Sequence, residues 1–289
     1  MTPPQFERLG GTFASRVTGL DITRPLDTGT IGALDAAIAE HAVLIFERTG
    51  LDEEGLHRFA RSFGELDIGF KRVSRAPTRF KYDETLDMSN VGVDGAVVPP
   101  NHRKIVGNIA NQLWHTDSSF QKPAAKYSFL LSEVTTSWGG ETEFADMRAA
   151  HDRLPARTRE RLAGLIAEHD ALHSRLSLGD THYDEAQRQT FPPVDWPLVR
   201  HHPDTGAAYL YIGAHAHRIH GMTVPEARML LMDLLEEATR AEYVYRHAWN
   251  VGDLIIWDNR TTLHRGRAFD LSERRELKRV STLDEASAA

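Results

Sequence analysis

The feature that most constrains the fold is a set of metal-ligand side chains in two distant segments of the chain. Asp117 stands two residues after His115, so on an extended strand both side chains leave the same face. His264 comes much later, at the end of an apolar-containing stretch. Two histidines and one carboxylate on one side of a metal are typical of non-haem Fe(II) oxygenases. The fold therefore has to bring residues 115–117 and 264 together.

Two other histidines are also followed, two residues later, by an aspartate. His182 precedes Asp184 in a polar stretch without apolar framing, and His202 precedes Asp204 at a Pro-Asp-Thr-Gly turn. We interpret both pairs as solvated surface groups. Only His115 follows a large aromatic residue and precedes an apolar run, which favours it as a ligand.

Composition excludes several classes of protein. The chain has 289 residues, of which 41% are hydrophobic and 26% charged, as in ordinary globular proteins. It has no cysteine, so a metal has to be held by His, Asp or Glu. The net charge of −7 argues against general nucleic-acid binding. No signal-like start and no apolar stretch near membrane-spanning length is present, which predicts a cytoplasmic protein without membrane partners.

One segment is basic against this acidic background. Residues 68–82 contain no acidic side chain and five basic ones: Lys71, Arg72, Arg75, Arg79 and Lys81. A solvated basic loop is one interpretation, and a lid that attracts an anionic substrate is the other. The wider segment 64–104 has weak periodicity and several prolines, which predicts a long active-site cover.

Hydrophobic periodicity predicts a single domain over 1–289, mainly β with helical additions. The predicted helices are 31–40, 52–63, 156–168 and 225–239. The predicted strands are 42–46, 125–134, 198–202, 207–213, 243–249, 253–257, 261–264 and 277–282. Strands from the middle and the end of the chain suit a double-stranded β-helix, or jelly-roll, core. Residues 284–289 are predicted to be a disordered tail.

The alternation of side chains on a predicted strand assigns the arginines near the C-terminus to two different faces. Arg275, Leu277 and Arg279 share one face, and Leu277 marks that face as buried. Two buried guanidinium groups are costly without anions, and guanidinium suits bidentate pairing with carboxylates. This pattern favours two carboxylate-bearing ligands, although pairing with internal Asp or Glu is the alternative.

Several motifs together resemble the taurine dioxygenase family of Fe(II)/2-oxoglutarate-dependent oxygenases. The resemblance extends from about residue 13 to 283 and is closest to the branch of the 2,4-dichlorophenoxyacetate dioxygenases. The motifs that carry it are residues 115–117, 139–144, 257–260 and the stretch from 264 to 275.

The resemblance implies a role for particular residues. His115, Asp117 and His264 would ligate Fe(II). The distal carboxylate of 2-oxoglutarate would pair with Arg275 and Thr142, and Trp257 would lie beside the iron. Arg279 would meet the substrate acid or steady the iron-bound carboxylate. The further residues assigned to the substrate are Arg72, Asn111 and His215.

The implied reaction consumes 2-oxoglutarate and O2 and hydroxylates the carbon next to the ether oxygen of a phenoxyacetate. Its products would be a phenol, glyoxylate, succinate and CO2, and the substrate would be a small anionic aromatic acid. The alternatives within the family are a sulfonate, alkyl sulfate or other aromatic-acid dioxygenase. Those from other classes are a non-oxidative barrel metalloprotein and a ligand-binding barrel. The resemblance also implies a homo-oligomer.

Overall fold

The computed structural model describes residues 3–9, 13–69 and 78–288. Strands dominate the described chain: β1 Gln5–Arg8, β2 Ala14–Thr18, β3 Val43–Phe46, β4 Leu66–Asp67, β5 Leu86–Asp87, β6 Ala125–Val134, β7 Thr142–Asp146, β8 Ile166–His169, β9 Val194–Pro197, β10 Val199–His201, β11 Ala208–Leu210, β12 Ala216–Ile219, β13 Val244–His247, β14 Leu254–Asp258, β15 Thr262–Gly266 and β16 Glu276–Leu283. The α-helices are α1 Thr28–His41, α2 Glu53–Arg61, α3 Arg103–Asn108, α4 Met147–Arg153, α5 Ala156–Leu162, α6 His173–Ser177, α7 Glu185–Gln189 and α8 Val224–Ala238.

Two sheets enclose the centre of the molecule. The larger has the strand order β1-β2-β3-β14-β6-β16-β4, with β5 also paired to β16, and the smaller has the order β13-β7-β15. Phe144 of the smaller sheet packs in one buried cluster with Trp257 and Leu277 of the larger sheet. The interior between the two sheets is therefore apolar at this end, and the arrangement is the predicted jelly roll.

The alternation of side chains on β14 explains how the larger sheet is covered on both faces. Leu254 and Ile256 point to one side, where they pack with residues of α1 and α2 such as Ile38. Ile255 and Trp257 point to the other side, into the barrel interior. A strand buried on both faces reads as a continuous apolar run, as β14 does.

Most of the predicted helices and strands are confirmed, but one helix is wrong in its second half. The helix predicted over 156–168 ends at Leu162, and Ile166–His169 form strand β8. Gly164 lies between them with a φ of +80°, a left-handed conformation that ends the helix. Strand β8 then joins β9 and β12 in a third sheet beside α8.

The C-terminal tail is ordered where it is described, contrary to the prediction of disorder for 284–289. Asp284 donates its backbone N–H to the carbonyl of Ala124 at 2.8 Å. The buried Ser287 hydroxyl accepts the N–H of Ala124 at 2.9 Å. These bonds hold residues 284–288 against the start of β6. Among the described residues no helix is long and apolar enough to cross a membrane.

Candidate metal centre and cosubstrate site

A backbone bridge places the two predicted histidine ligands side by side. His264 lies on β15, and the His115 segment pairs with it antiparallel. The N–H of His115 donates to the carbonyl of His264 at 3.0 Å, and the reverse bond is 2.8 Å. The two imidazole ring centres are consequently 4.2 Å apart. The sheet register thus brings together segments that the sequence keeps far apart.

Asp117 completes a compact group of possible metal ligands. Its Oδ1 lies 3.9 Å from His115 Nε2, and its Oδ2 lies 3.7 Å from His264 Nε2. All three side chains are buried, and their ligand atoms lie within 4.8 Å of one another. Over residues 3–9, 13–69 and 78–288 this is the only group of three or more His, Asp or Glu side chains so placed. Two imidazoles and one carboxylate fit the donor set of a non-haem Fe(II) centre.

The protonation states of the three side chains suit metal binding. Burial lowers the pKa of both His115 and His264, so each imidazole is neutral near pH 7. The Nδ1 of His115 bonds to the carbonyl of Leu113 at 2.8 Å, which leaves Nε2 as the lone-pair nitrogen. Burial opposes ionisation of Asp117, but Arg279 and the neighbouring imidazoles outweigh it and lower its pKa to about 2. No ligand has to lose a proton when a metal binds at neutral pH.

The side chain of Asn259 holds Asp117 in place. Its Oδ1 accepts the backbone N–H of Asp117 at 3.2 Å and the indole N–H of Trp257 at 2.9 Å. Its Nδ2 donates to Ser128 Oγ at 2.9 Å, and that hydroxyl donates to Asp117 Oδ2 at 2.7 Å. Sequence reasoning did not assign this function to Asn259, although the residue lies within one of the motifs that carry the resemblance.

Trp257, predicted to lie beside the iron, is fully buried against a ligand histidine. Its ring centre is 4.6 Å from that of His264 and 5.5 Å from that of Phe144. Together with the bond to Asn259, this packing restricts the orientation of the His264 ring.

Arg275 is a partly buried guanidinium with no carboxylate partner among the described residues. It donates to the carbonyl of Gly140 at 2.7 Å and lies over the ring of Phe269 at 5.0 Å. None of the described Asp or Glu side chains lies within 4.0 Å of its nitrogens, so internal pairing, the alternative raised above, is wrong for this residue. Burial lowers its pKa to about 10. Such a group is suited to an anionic ligand.

Thr142, the other residue predicted to bind the cosubstrate, stands near Gly140 in the sequence, and the carbonyl of Gly140 accepts a hydrogen bond from Arg275. It follows Gly140 by two residues and begins β7. In the β7–β15 ladder, Thr142 is paired with Gly266 and Phe144 with His264. Thr142, Phe144 and His264 therefore share one face of the smaller sheet. The Thr142 hydroxyl accepts the indole N–H of Trp249 at 3.1 Å, and its own proton is available to a ligand.

A cavity that is partly open to solvent lies against the ligand group. Three residues that were assigned to the substrate, Asn111, His215 and Arg279, lie on its wall together with His115 and Asp117. Five further wall residues were not assigned to the site, and Phe120 and Arg175 are the largest of them. Phe120 follows the His115 motif closely, whereas no sequence signal marks Arg175, which lies outside every ligand motif and long periodic element.

Arg279 is only partly available to a ligand. Its Nη1 forms an ion pair with Asp117 Oδ1 at 2.5 Å. Its Nε is buried and has no hydrogen-bond partner in the described parts of the chain. The inward orientation predicted by alternation with Leu277 is confirmed, and an internal carboxylate takes part of the charge.

The basic segment does not present its described cations to the cavity. Arg79 pairs with Asp87 at 2.9 Å and with Glu276 at 2.5 Å. Lys81 pairs with Glu54 at 3.1 Å. These two charges are paired within the protein, and the choice between a solvated loop and a lid for residues 68–82 stays a prediction. Arg72, which was assigned to the substrate, lies outside the described residues.

The prediction for the other two His/Asp pairs is half right. The side chain of His182 is 78% exposed, and Asp184 caps the start of α7, as expected of surface groups. His202 is instead buried, and its Nε2 lies 3.1 Å from Asp258 Oδ2. The turn at Asp204 was predicted correctly, but the contact with a distant strand that buries His202 was not visible in the sequence.

Comparisons with known proteins agree with this geometry. The family model described as "Taurine catabolism dioxygenase TauD, TfdA family" matches residues 5–281. The alpha-ketoglutarate-dependent 2,4-dichlorophenoxyacetate dioxygenase of Cupriavidus pinatubonensis is 53% identical over 95% of this chain and 96% of its own. The (S)-phenoxypropionate/alpha-ketoglutarate-dioxygenase of Sphingobium herbicidovorans is 34% identical over 92% and 90%.

A solved structure is similarly close. The crystal structure of AAD-2 in complex with Mn(II) and N-oxalylglycine has a TM-score of 0.91 and 39% identity, over 100% of this chain and 99% of that one. Sequence and fold agree over nearly the whole length, and this chain belongs to the TauD/TfdA family of dioxygenases.

Proposed function

We propose that this protein is an Fe(II)- and 2-oxoglutarate-dependent dioxygenase that acts on phenoxyacetate-type acids such as 2,4-dichlorophenoxyacetate. The observation that carries the proposal is the convergence of His115, Asp117 and His264 beside a cavity. A relative that is 53% identical to this chain is named for this reaction. 2-Oxoglutarate is the same compound as the alpha-ketoglutarate in that name.

The metal site fits Fe(II) through its donor set. His115 and His264 would each offer Nε2, and Asp117 would offer a carboxylate oxygen. When bound, Fe(II) and 2-oxoglutarate together use O2 to oxidise a substrate C–H bond. Asn259 and Ser128 keep the Asp117 carboxylate in one orientation. The protein's part is to place the ligands before the metal arrives.

Arg275 and Thr142 would hold the distal carboxylate of 2-oxoglutarate. A guanidinium pairs with a carboxylate through two parallel hydrogen bonds, and a hydroxyl adds a third donor. Because Arg275 has no described carboxylate partner, the anion compensates a charge that is otherwise costly to bury. Trp249 fixes the Thr142 hydroxyl from the other side.

The cavity would orient the substrate and keep water out. Arg279 Nε and the side chains of Asn111 and His215 supply polar contacts, and Phe120 supplies an apolar surface. We assign Arg279 either to the substrate acid or to a carboxylate bound at the metal. Excluding water protects the strong oxidant from side reactions.

The products follow from where the hydroxyl group is added. Phenoxyacetate, 2-oxoglutarate and O2 give hydroxylated phenoxyacetate, succinate and CO2. The hydroxylated carbon also carries the ether oxygen, so it is a hemiacetal. Its C–O bond breaks to release a phenol and glyoxylate, and this step needs no further oxidant.

The proposal extends to the organisation of the chain. Residues 1–289 act as one domain, and the segment 64–104 covers the active site. A homo-oligomeric state, a cytoplasmic location and the exclusion of nucleic-acid and membrane partners stay predictions.

A substrate screen tests the proposed function. The purified protein is incubated with Fe(II), 2-oxoglutarate, O2 and a panel of phenoxyacetates, alkyl sulfonates and alkyl sulfates. We expect succinate, a phenol and glyoxylate in equal amounts with phenoxyacetates. Release of sulfite or sulfate with an aldehyde from the sulfur compounds, and no phenol from the phenoxyacetates, would assign the protein to the alternative within the family. Turnover under strict anaerobiosis would contradict the oxygenase class.

A further inference from the structure

A second arginine, besides Arg279, lies on the wall of the cavity beside the metal ligands. Arg175 belongs to the short helix α6 and is 9% exposed. It borders the same space as His115 and Asp117, and the adjacent Ser174 also faces that space. Its Nη1 donates to the carbonyl of Ala171, four residues earlier, at 3.5 Å, which directs the side chain along the helix.

The positive charge of Arg175 lies close enough to His115 and His215 to affect the pKa of both. Burial is the main reason why the pKa of His115 and His215 is low, and the positive charge of Arg175 lowers both further. The pKa of Arg175 is itself lowered, mainly by burial and further by the positive charge of Arg279, because two cations approach one cavity. The site therefore concentrates positive charge at the metal end of the cavity, where an anion is favoured.

The chemistry of the substrate requires a cation at this end. In a phenoxyacetate the carbon that is hydroxylated carries the carboxylate directly. When that carbon is within reach of the metal, the carboxylate lies one bond away and cannot be held at the outer rim of the cavity. The aromatic ring then extends away from the metal, along apolar surface such as Phe120, whose ring packs on His215 at 5.0 Å.

Arg279 alone does not meet this requirement. Its Nη1 is bound to Asp117, so an internal carboxylate already takes part of the charge of this arginine. Carboxylates are held most tightly by a guanidinium that offers two parallel donors.

We infer that Arg175 binds the carboxylate of the substrate and selects acids over neutral ethers. The inference rests on the proposed function and names the substrate-binding residue of that same site. Arg279 would then mainly hold the Asp117 carboxylate through their ion pair. The carboxylate of the substrate would lie between the two arginines.

Binding measurements without turnover test the inference. The protein is loaded with Mn(II) and N-oxalylglycine, and calorimetry gives the dissociation constants of phenoxyacetate and of its neutral analogue, phenoxyethanol. In Arg175→Met we expect the phenoxyacetate constant to rise about 30-fold or more, as for loss of one partner of a buried charge pair. The phenoxyethanol constant should change by less than about threefold, because that ligand has no charge to pair.

Two more variants control the comparison. Arg103→Met removes a neighbouring arginine that pairs with Asp180 at 2.8 Å and does not line the cavity, and it should leave both constants within about threefold of wild type. Arg175→Lys keeps the charge and loses the fork, so a smaller, acid-selective loss of about tenfold is expected. It provides the same test if Arg175→Met does not fold.

The outcomes separate this inference from the proposed function. Equal weakening of phenoxyacetate and phenoxyethanol would make Arg175 a structural residue, and unchanged binding of phenoxyacetate would also overturn the inference while the proposed function stands. A wild-type protein that binds no phenoxyacetate would instead overturn the proposed function, and the inference with it.

Discussion

Two arginines of the barrel, the fully buried Arg260 and the partly buried Arg275, differ in what balances their charge. Arg260 is 3% exposed, and its Nε and Nη2 bond to Asp258 at 2.9 and 2.7 Å. Arg275 has carbonyl contacts, such as that with Gly140 at 2.7 Å, and no carboxylate among the described residues. Burial opposes the charge of both, but Asp258 outweighs it and raises the pKa of Arg260, whereas the pKa of Arg275 falls to about 10.

The difference separates a charge that serves the fold from one that serves a ligand. Asp258 also lies 3.1 Å from His202, so it joins two distant segments through fully buried contacts. Arg275 forms no ion pair with a described carboxylate, so its charge is available to a bound anion. A buried charge whose partner is absent from the protein is therefore a stronger indicator of function than a buried charge as such.

The largest effect should come from breaking the internal pair. Arg260→Met leaves the Asp258 carboxylate buried without its main counter-charge, so the free energy of unfolding should fall by about 3–5 kcal/mol. Urea denaturation followed by circular dichroism measures this. A loss below about 1 kcal/mol would mean that water or His202 compensates Asp258, and the comparison would fail.

Removing the charge of Arg275 should weaken the binding of 2-oxoglutarate and leave the stability of the fold nearly unchanged. Arg275→Met removes a desolvated charge with no described carboxylate partner, so the free energy of unfolding should stay within about 1 kcal/mol of wild type. The dissociation constant of 2-oxoglutarate, measured by calorimetry with Mn(II) present, should rise by the equivalent of about 2–5 kcal/mol. An unchanged constant would remove Arg275 from its proposed position, and a large loss of stability would place it with Arg260.

A smaller effect should follow from displacing Arg275 without removing it. A Cβ on Gly140 would lie 2.7 Å from Arg275 Nε, so Gly140→Ala should raise the 2-oxoglutarate constant by roughly tenfold. Gly206 has a similar φ of +70° but open space around it, so Gly206→Ala carries the same backbone strain without the clash. Gly206→Ala should lose about as much stability as Gly140→Ala and should keep the wild-type dissociation constant of 2-oxoglutarate. Equal binding by the two variants would show that the contact with Gly140 does not position Arg275.

The smallest expected effect is a difference between the two arginine sites in how the free energy of unfolding depends on pH. Arg260 and His202 lower the pKa of Asp258 below that of the unfolded chain, so its pair stabilises the fold fully above about pH 4 and less as the pH falls further. The difference in unfolding free energy between wild type and Asp258→Asn should therefore shrink by about 1 kcal/mol between pH 5 and 3. The difference for Arg275→Met should change much less, since no described carboxylate forms an ion pair with it and Glu141 acts on it only at longer range. A parallel pH dependence for both variants would contradict the assignment of the acid effect to Asp258.

The sequence predicted the parts of the site that depend on local spacing. His115 and Asp117 share a face because they are two residues apart, and Leu277 marks the buried face that carries Arg275 and Arg279. The jelly roll was predicted from the strands in the middle and at the end of the chain, and this fold can bring His264 to the other ligands. Local pattern and tertiary contact agree at these positions.

The remaining features depend on contacts between distant segments. His202 is buried by Asp258, and Arg79 is neutralised by Asp87 and Glu276, which no local pattern reveals. Arg175 lies on a five-residue helix that has too few turns to show periodicity. The helix predicted over 156–168 failed because a single left-handed glycine outweighed a run of good helix-forming residues.

The convergence of His115, Asp117 and His264 is tested most directly by anaerobic calorimetry of Fe(II) binding to the wild-type protein and to His264→Ala. We predict one Fe(II) per chain in the wild type, and binding at least about 10-fold weaker in the variant, because one of only three protein ligands is lost. Unchanged affinity and stoichiometry in His264→Ala would show that this histidine is not a ligand and would contradict the account.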